Sequence, residues 1–441
     1  MSEKSTKLGK NYWRLWTAHA TSNLGDGLAT VAFPWLASAV TRDPFLIAFI
    51  AVMSRLPWLI FTLPAGVITD RFDRKKIIVA MDLAQGGLAL LLAGAIFFER
   101  NSLPALNNLT SVTMVETNYL LYWSLVGISL LFGFAEVLRD NAGQTFLPSV
   151  VTKENLESAN GKLWSAEYVM NSFVGPPLAS FLLGILVYLP FIIHSATFFI
   201  AAGLIALIVT IPKPIGDTSA KEKINFGAEI KEGFSWLWSH SLLRPMAIIL
   251  GTLNLVGSIA SATFILFAQE ILETSVFEFA ILGTSGAIGG TLGGILGPKI
   301  SKKLGSGPSL YLTLISMPLL GLVVGLTSNW YIAWVMIALT TIFAVLWNVI
   351  TVSLRQSIIP SHLLGRVNSV YRFFAWGSMP IGTLIGGAIV SITEIFGDRE
   401  LALRMPYFLS LVLGLVIFAF AAPRLTTEKI ERARAEGEPL S

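Results

Sequence analysis

Asp26 stands between two glycines in the stretch Asn-Leu-Gly-Asp-Gly-Leu, well inside an apolar run that begins near residue 12. About 14 residues of helix carry it roughly 21 Å along the axis, close to the middle of a bilayer if the run crosses one. A carboxylate at that depth costs roughly 2.5–3.5 kcal/mol on insertion scales, so it should face a cavity or a partner. Burial favours its protonated form, and a proton held this way can be displaced by a cation or a substrate. Arg55 reaches comparable depth in the next apolar run. Two readings therefore stay open, an exchangeable proton on Asp26 or a structural Asp26–Arg55 ion pair. Glu167 and Arg372 are the next candidates, each about ten residues inside an apolar run; they could bridge two halves of the molecule or pair locally. Asp82 reads as close to a membrane interface, and His194 as a satisfied core residue rather than a relay.

A second concentration of charge is the segment GVITDRFDRKK, residues 66–76, set between two runs each long enough to span a membrane. Arg71, Arg74, Lys75 and Lys76 alone would fix topology, but topology needs neither Asp70 nor Gly66. Asp70 can meet the positive N-terminus of a neighbouring helix, while Arg71 and Arg74 need acceptors. Glu136 and Asp140 are available, and with Arg139 they lie at i, i+3 and i+4 on one helix face.

The elements that must position these residues are apolar helices. The chain has 441 residues, 54% of them hydrophobic and 13% charged. Soluble domains carry roughly a quarter charged residues, and runs of about 20 apolar residues recur along the whole length. The reading is an all-α membrane protein with spans near 12–41, 45–69, 75–98, 119–143, 157–187, 189–211, 242–271, 277–299, 308–327, 330–354, 363–393 and 402–422. Of the 31 cations, all but Arg42, Arg55, Arg100, Arg399 and Arg404 fall on one side or in the half-spans next to it. That bias puts both termini in the cytoplasm and requires an even number of spans. The first span reads as an uncleaved anchor. Residues 212–241 divide the spans six and six, and Phe226, Ile230, Phe234, Leu237 and Trp238 recur there at helical spacing, as in an amphipathic helix lying in the inner interface. The expected divisions are thus 1–211, 212–241, 242–422 and a charged tail, 423–441. An Asn-Leu-Thr sequon at Asn108 carries no assignment. Without Cys, disulfides and thiolate sites are excluded, and there is neither a phosphate-binding loop nor a metal-ligand cluster. No enzyme, cofactor, metal or nucleic-acid partner is expected.

The halves echo each other. GVITDRFDRKK matches GILGPKISKKL at residues 294–304, QTFLPS from Gln144 matches QSIIPS from Gln356, and Gly161-Lys162-x-x-Ser165 with Pro176 matches Gly365-Arg366-x-x-Ser369 with Pro380. Three correspondences in one order imply a duplicated six-span unit, an arrangement used by secondary transporters around a midplane cavity. Gly286, Gly290 and Gly294, beside Gly289, Gly293 and Gly297, form small-residue rows expected to pack against span 5.

Gly66-x-x-x-Asp70-Arg71-x-x-Arg74-Lys75 resembles the signature loop of the major facilitator superfamily. Asp73 stands where that family usually has Gly, and the Asp-Arg-x-Asp-Arg-Lys form resembles its third drug:proton antiporter branch, which holds macrolide, multidrug and enterobactin exporters. Gly175-Pro176-Pro177 resembles the start of the antiporter motif at a helix bend, with Ala179 and Ser180 replacing its final glycines. The resemblance covers residues 12–422 and implies twelve helices in two pseudo-symmetric six-helix bundles. It also implies that the Gly66–Lys75 loop, with Glu136, Arg139 and Asp140, latches the cytoplasmic side by engaging the start of span 11 near Gly365. On this reading the chain is a monomer of a bacterial inner (plasma) membrane, exporting amphipathic or lipophilic small molecules in exchange for protons. A siderophore exporter, a lysophospholipid transporter and a non-transporting scaffold are the alternatives.

Overall fold

The computed structural model describes residues 8–104, 109–110, 115–152, 155–209, 226–360 and 363–437, which among them contain helices, turns and no strand. Asn108 and residues 210–225 lie outside this set. The helices in chain order are α1 (Lys10–Val40), α2 (Pro44–Ile60), α3 (Thr62–Arg71), α4 (Arg74–Glu99), α5 (Tyr119–Phe146), α6 (Leu156–Val169), α7 (Gly175–Ile185), α8 (Leu189–Ala206), α9 (Phe226–Ser239), α10 (Leu243–Ser261), α11 (Phe264–Glu270), α12 (Val276–Leu304), α13 (Ser306–Leu326), α14 (Trp330–Ile358), α15 (Leu364–Phe396), α16 (Arg399–Ala421) and α17 (Thr427–Gly437).

Among the described residues, ten helical segments are long and apolar enough to cross a membrane. The first two expected spans do not qualify on those grounds. α1 is long, but His19, Thr21, Ser22, Asn23 and Asp26 dilute its apolar character, and α2 has only 17 residues. α2 continues into α3 through backbone bonds from Phe61 N–H to the Pro57 carbonyl and from Ala65 N–H to the Phe61 carbonyl.

The chain forms two compact units, one of Met1–Arg42, Ile50–Thr218 and Thr274–Thr284, the other of Asp43–Phe49, Ser219–Glu273 and Ser285–Ser441. Within the first, α4 packs on α5 and α8, and α1 on α7 and α8; within the second, α13 packs on α14 and α16, and α10 on α15 and α16. These are matching pairings under the internal repeat, so the duplicated sequence builds the same bundle twice. In the first unit Trp35 stacks obliquely on Phe279. In the second, a Cβ on Gly387 would meet the Pro44 carbonyl and Phe45, so that glycine lets the start of α2 close onto α15.

Three packing details stand out. Gly289 and Gly293 seat α12 on Ala338, Thr341, Ile342 and Val345 of α14, because only side-chain-free positions let those two backbones approach. The tail helix α17 docks on α13 and α14, burying Ile430 and Ala433 in the second unit's core. The linker helix α9 docks on α15 and α10. Leu237 is buried, Phe234 and Trp238 stack on each other and on Phe374, and Glu232 binds Arg366 at 2.5 Å. Gly233 lies against the Arg366 backbone, where a Cβ would come within 3.0 Å of three of its atoms. Glu232→Ala is therefore expected to cost at most about 1 kcal/mol, since the ion pair is half exposed. Gly233→Val should undock the helix, and limited proteolysis of residues 210–225 reads the difference between the two.

Candidate functional site

Asp26 is fixed by its two glycines. A Cβ at Gly25 would collide with Thr197 and His194 of α8, and one at Gly27 would stand 2.7 Å from the Met170 carbonyl and 2.9 Å from that of Asn171. Those carbonyls belong to a π-helical turn, Met170–Val174, directly before Gly175-Pro176-Pro177. Two successive prolines remove two helical N–H donors, and the chain answers with one wider turn. Gly175 then crosses Gly27 so closely that its own Cβ would lie 2.5 Å from the Gly27 Cα. The Gly-Pro-Pro motif therefore seats span 5 on the backbone that carries Asp26. At Pro380 the second unit repeats the device, with Gly382 against the Leu255 carbonyl and Gly386 against that of Ile259.

The carboxylate of Asp26, partly exposed, makes no hydrogen bond or ion pair with any described residue. The Asp26–Arg55 pair is not formed; Arg55 acts on Glu136 instead, because Glu136 on α5 is the acid within its reach. The strongest charge acting on Asp26 is Arg139, with Glu136, Asp140 and Asp82 also in range. Arg139 is the hub. Its Nε donates to Asp82 Oδ1 at 2.5 Å, its Nη2 to Ser22 Oγ at 2.5 Å, and its Nη1 lies 3.7 Å from Asp140. Ser22 Oγ in turn donates to the His19 carbonyl.

Arg139, expected beside the loop, stands at the centre of a buried cluster, and the face it shares with Glu136 and Asp140 meets α1 and α4. The Asp82 side chain is 0% exposed, and its Oδ2 has no hydrogen-bond partner among described residues. Arg71 is exposed, Arg74 Nη1 donates to the Thr145 carbonyl and Lys75 to that of Ile208, so Glu136 and Asp140 do not serve the loop cations as expected. Asp73, at the family's usual glycine, caps α4 by accepting from Lys76 N–H. A Cβ at Gly66 would meet nothing within 4 Å, and the Asp70 side chain lies outside the described residues. Glu167 pairs locally, its Oε2 3.4 Å from His19 Nε2. Arg372 is exposed on α15 beside Arg355, whose guanidinium covers the Tyr371 ring at 3.9 Å. His194 is buried in a cage of Phe33, Phe132 and Phe198, with both ring nitrogens unpartnered among described residues.

His19 and Ser22 escaped the sequence reading. The signal was present: His19, Ser22 and Asp26 fall at i, i+3 and i+7, one polar stripe along α1. Within this stripe and its neighbours, four carboxylates (Asp26, Asp82, Glu136 and Asp140) face two guanidiniums, Arg139 and Arg55. Such an excess inside apolar surroundings favours proton binding and disfavours full ionisation.

Two bundles of one helical pairing, with a charged cluster inside the first, define a secondary transporter of the major facilitator type, which is not an enzyme. The model of the transmembrane secretion effector family matches residues 8–440, and the chain belongs to that family. Macrolide efflux protein A of Streptococcus pyogenes is 23% identical over 402 residues, 90% of this chain and 92% of that protein. The multidrug efflux pump Tap of Mycolicibacterium fortuitum is 25% identical over 92% of this chain and 94% of its own length. The enterobactin exporter EntS of Shigella boydii is 24% identical over 82% of this chain and 80% of its own. Among solved structures, a bacterial homologue of the iron transporter ferroportin in an inward-facing state superposes with a TM-score of 0.65 at 15% identity, over 94% of this chain and all of that one. The nucleoside transporter NupG gives 0.62 at 12% identity, over 93% and 99%. The family places the chain in the efflux branch of the superfamily, embedded in a membrane and handling a small-molecule substrate.

Proposed function

We propose that the chain is a proton-coupled exporter of amphipathic or lipophilic compounds working by alternating access. The observation that carries this is the buried cluster around Arg139, in which Asp26 feels the guanidinium but is bonded to nothing, beside three further acids. Proton binding and release at Asp26 changes the charge that Arg139 must balance, and so changes which packing of α1 against α4 and α5 is favoured. Twelve spans as two six-helix units, a cytoplasmic linker at 212–241, cytoplasmic termini, a monomer and a bacterial plasma membrane complete the reading. The efflux relatives support export, and their macrolide and multidrug substrates support a lipophilic cargo. The enterobactin exporter among them supports a siderophore as the second reading.

The test is transport in proteoliposomes under an imposed pH gradient, with ethidium, erythromycin and enterobactin as probes. Asp26→Asn is expected to abolish gradient-driven flux while leaving energy-independent exchange intact. Unchanged gradient dependence in that variant would remove Asp26 from the mechanism.

A further inference from the structure

We propose that His19 is the relay through which the buried carboxylates of the first unit exchange protons with the cytoplasmic side, with Glu167 as the group that meets water. This rests on the proton-coupled reading above and deepens it.

The geometry has a direction. Side-chain exposure falls from 49% at Glu167 to 26% at His19, 12% at Arg139 and 0% at Asp82, so the His19–Glu167 pair is the more exposed and the Arg139–Asp82 pair the more buried. His19 Nε2 sits 3.4 Å from Glu167 Oε2 and makes no hydrogen bond to any other described residue. That separation suits an ion pair better than a settled hydrogen bond, and such contacts tighten when the proton is present. The His19 backbone is held on the other side: its carbonyl accepts from Ser22 Oγ and Asn23 Nδ2 at 3.0 and 2.9 Å, and Ser22 Oγ accepts from Arg139. The His19 backbone is thereby tied through Ser22 to Arg139, the centre of the network the imidazole would serve.

The acids that interact with His19 are Glu167 from α6, Asp140 from α5 and Asp82 from α4, with Arg139 bound to Asp82 behind them and Asp26 two turns further along α1. Asp82 and Asp140 both lie within its electrostatic reach. Imidazole has two ring nitrogens, so it can accept a proton on one and donate from the other, as a relay requires. In the release step a carboxyl of the cluster gives its proton to His19 and becomes a carboxylate. The imidazolium then passes a proton from Nε2 to the Glu167 carboxylate, and Glu167 gives it to water; His19 and Glu167 return to their starting charges, and the cluster acid is left ionised by one proton.

The structure gives His19 a role distinct from that of Asp26. Asp26 holds the proton whose presence selects the conformation; His19 sets how fast that proton reaches or leaves the cluster. Removing it should slow driven transport without touching the substrate's own path.

Proteoliposomes with ethidium as the probe read this, using full-length protein and a pH gradient. His19→Gly is expected to slow gradient-driven flux about 100-fold, in the range that positioned proton-transfer groups contribute, and to leave energy-independent exchange within about twofold. Imidazole added on the cytoplasmic face should restore much of the flux, and His19→Asn, which keeps a polar side chain, should be slow without becoming unstable. Glu167→Gln should slow driven flux less, because water can take the proton from His19 directly. Wild-type flux in both His19 variants, with Asp26→Asn inactive, overturns the relay and leaves proton coupling standing. Wild-type flux in Asp26→Asn as well removes proton coupling itself. Loss of exchange together with driven flux, and no rescue by imidazole, makes His19 a structural residue and equally overturns the proposal.

Discussion

Arg139→Gln is expected to lower the stability of the protein by about 3–5 kcal/mol, the cost of breaking a buried ion pair from one side. Asp82 would keep its carboxylate in a fully buried site with neither its 2.5 Å bond from Arg139 Nε nor any other described partner. Ser22 would lose its donor as well, and with it the tie between α1 and α5. Because the penalty falls on an ionised Asp82, it should shrink as pH falls and the acid takes up a proton. Arg139→Gln/Asp82→Asn is expected to recover most of the stability, since two neutral amides can satisfy each other, while remaining unable to drive transport. Arg139→Lys should fall between, as an ammonium cannot present the planar fork that reaches Asp82 and Ser22 together. Thermal unfolding in detergent at two pH values measures all three. A single mutant as stable as the wild type at neutral pH would show that Asp82 already carries a proton in the native protein.

How much of this could be read from the residues depends on whether the signal was local. The duplicated unit was legible, because Gln144–Ser149 and Gln356–Ser361 repeat one spacing, and the helix pairings of the two units match. Asp26 between two glycines was legible as a site, because a mid-helix carboxylate has few bland explanations. The partner of Asp26 was not legible. Spacing correctly put Glu136, Arg139 and Asp140 on one face, but it could not say that the face meets α1 and α4 rather than the Asp70 loop. Asp82 looked interfacial by its distance from Arg74 along the chain, whereas α4 packs between α5 and α8 and buries it completely. The signal for His19 lay only in its spacing from Ser22 and Asp26, which shows once the three are set on one helix face.

The repeat also shows where the charge chemistry is confined. Aligned through Gln144 and Gln356, Glu136, Arg139 and Asp140 of α5 correspond to Asn348, Thr351 and Val352 of α14. Thr351 is buried, with its hydroxyl unpartnered among described residues. Both units keep the glycine crossing that seats span 5 or span 11, but only the first keeps the acids and the arginine. Duplication supplied a symmetric scaffold; the Arg139 cluster occupies one copy of it, and the second carries a different group of charges, Arg399 with Glu270 and Glu394.

That shared crossing gives the other large effect, at Gly27. Gly27→Val should cost several kcal/mol, since the added carbons would enter the space of the Met170 and Asn171 carbonyls and the Gly175 backbone, none of which can swing aside as a side chain would. Gly94→Ala is the control: a Cβ there meets nothing within 4 Å, and removing a helical glycine should stabilise by up to about 1 kcal/mol. If Gly27 serves only as a packing contact, the valine variant loses stability and transports in proportion to the protein that folds. The geometry predicts more than that. Gly27 adjoins Asp26, so displacing α1 from the π turn moves the carboxylate relative to Arg139, and the folded fraction should retain exchange but lose its dependence on the pH gradient. Flux normalised to folded protein, measured with and without a gradient, separates the two outcomes, and equal losses in both would confine Gly27 to packing.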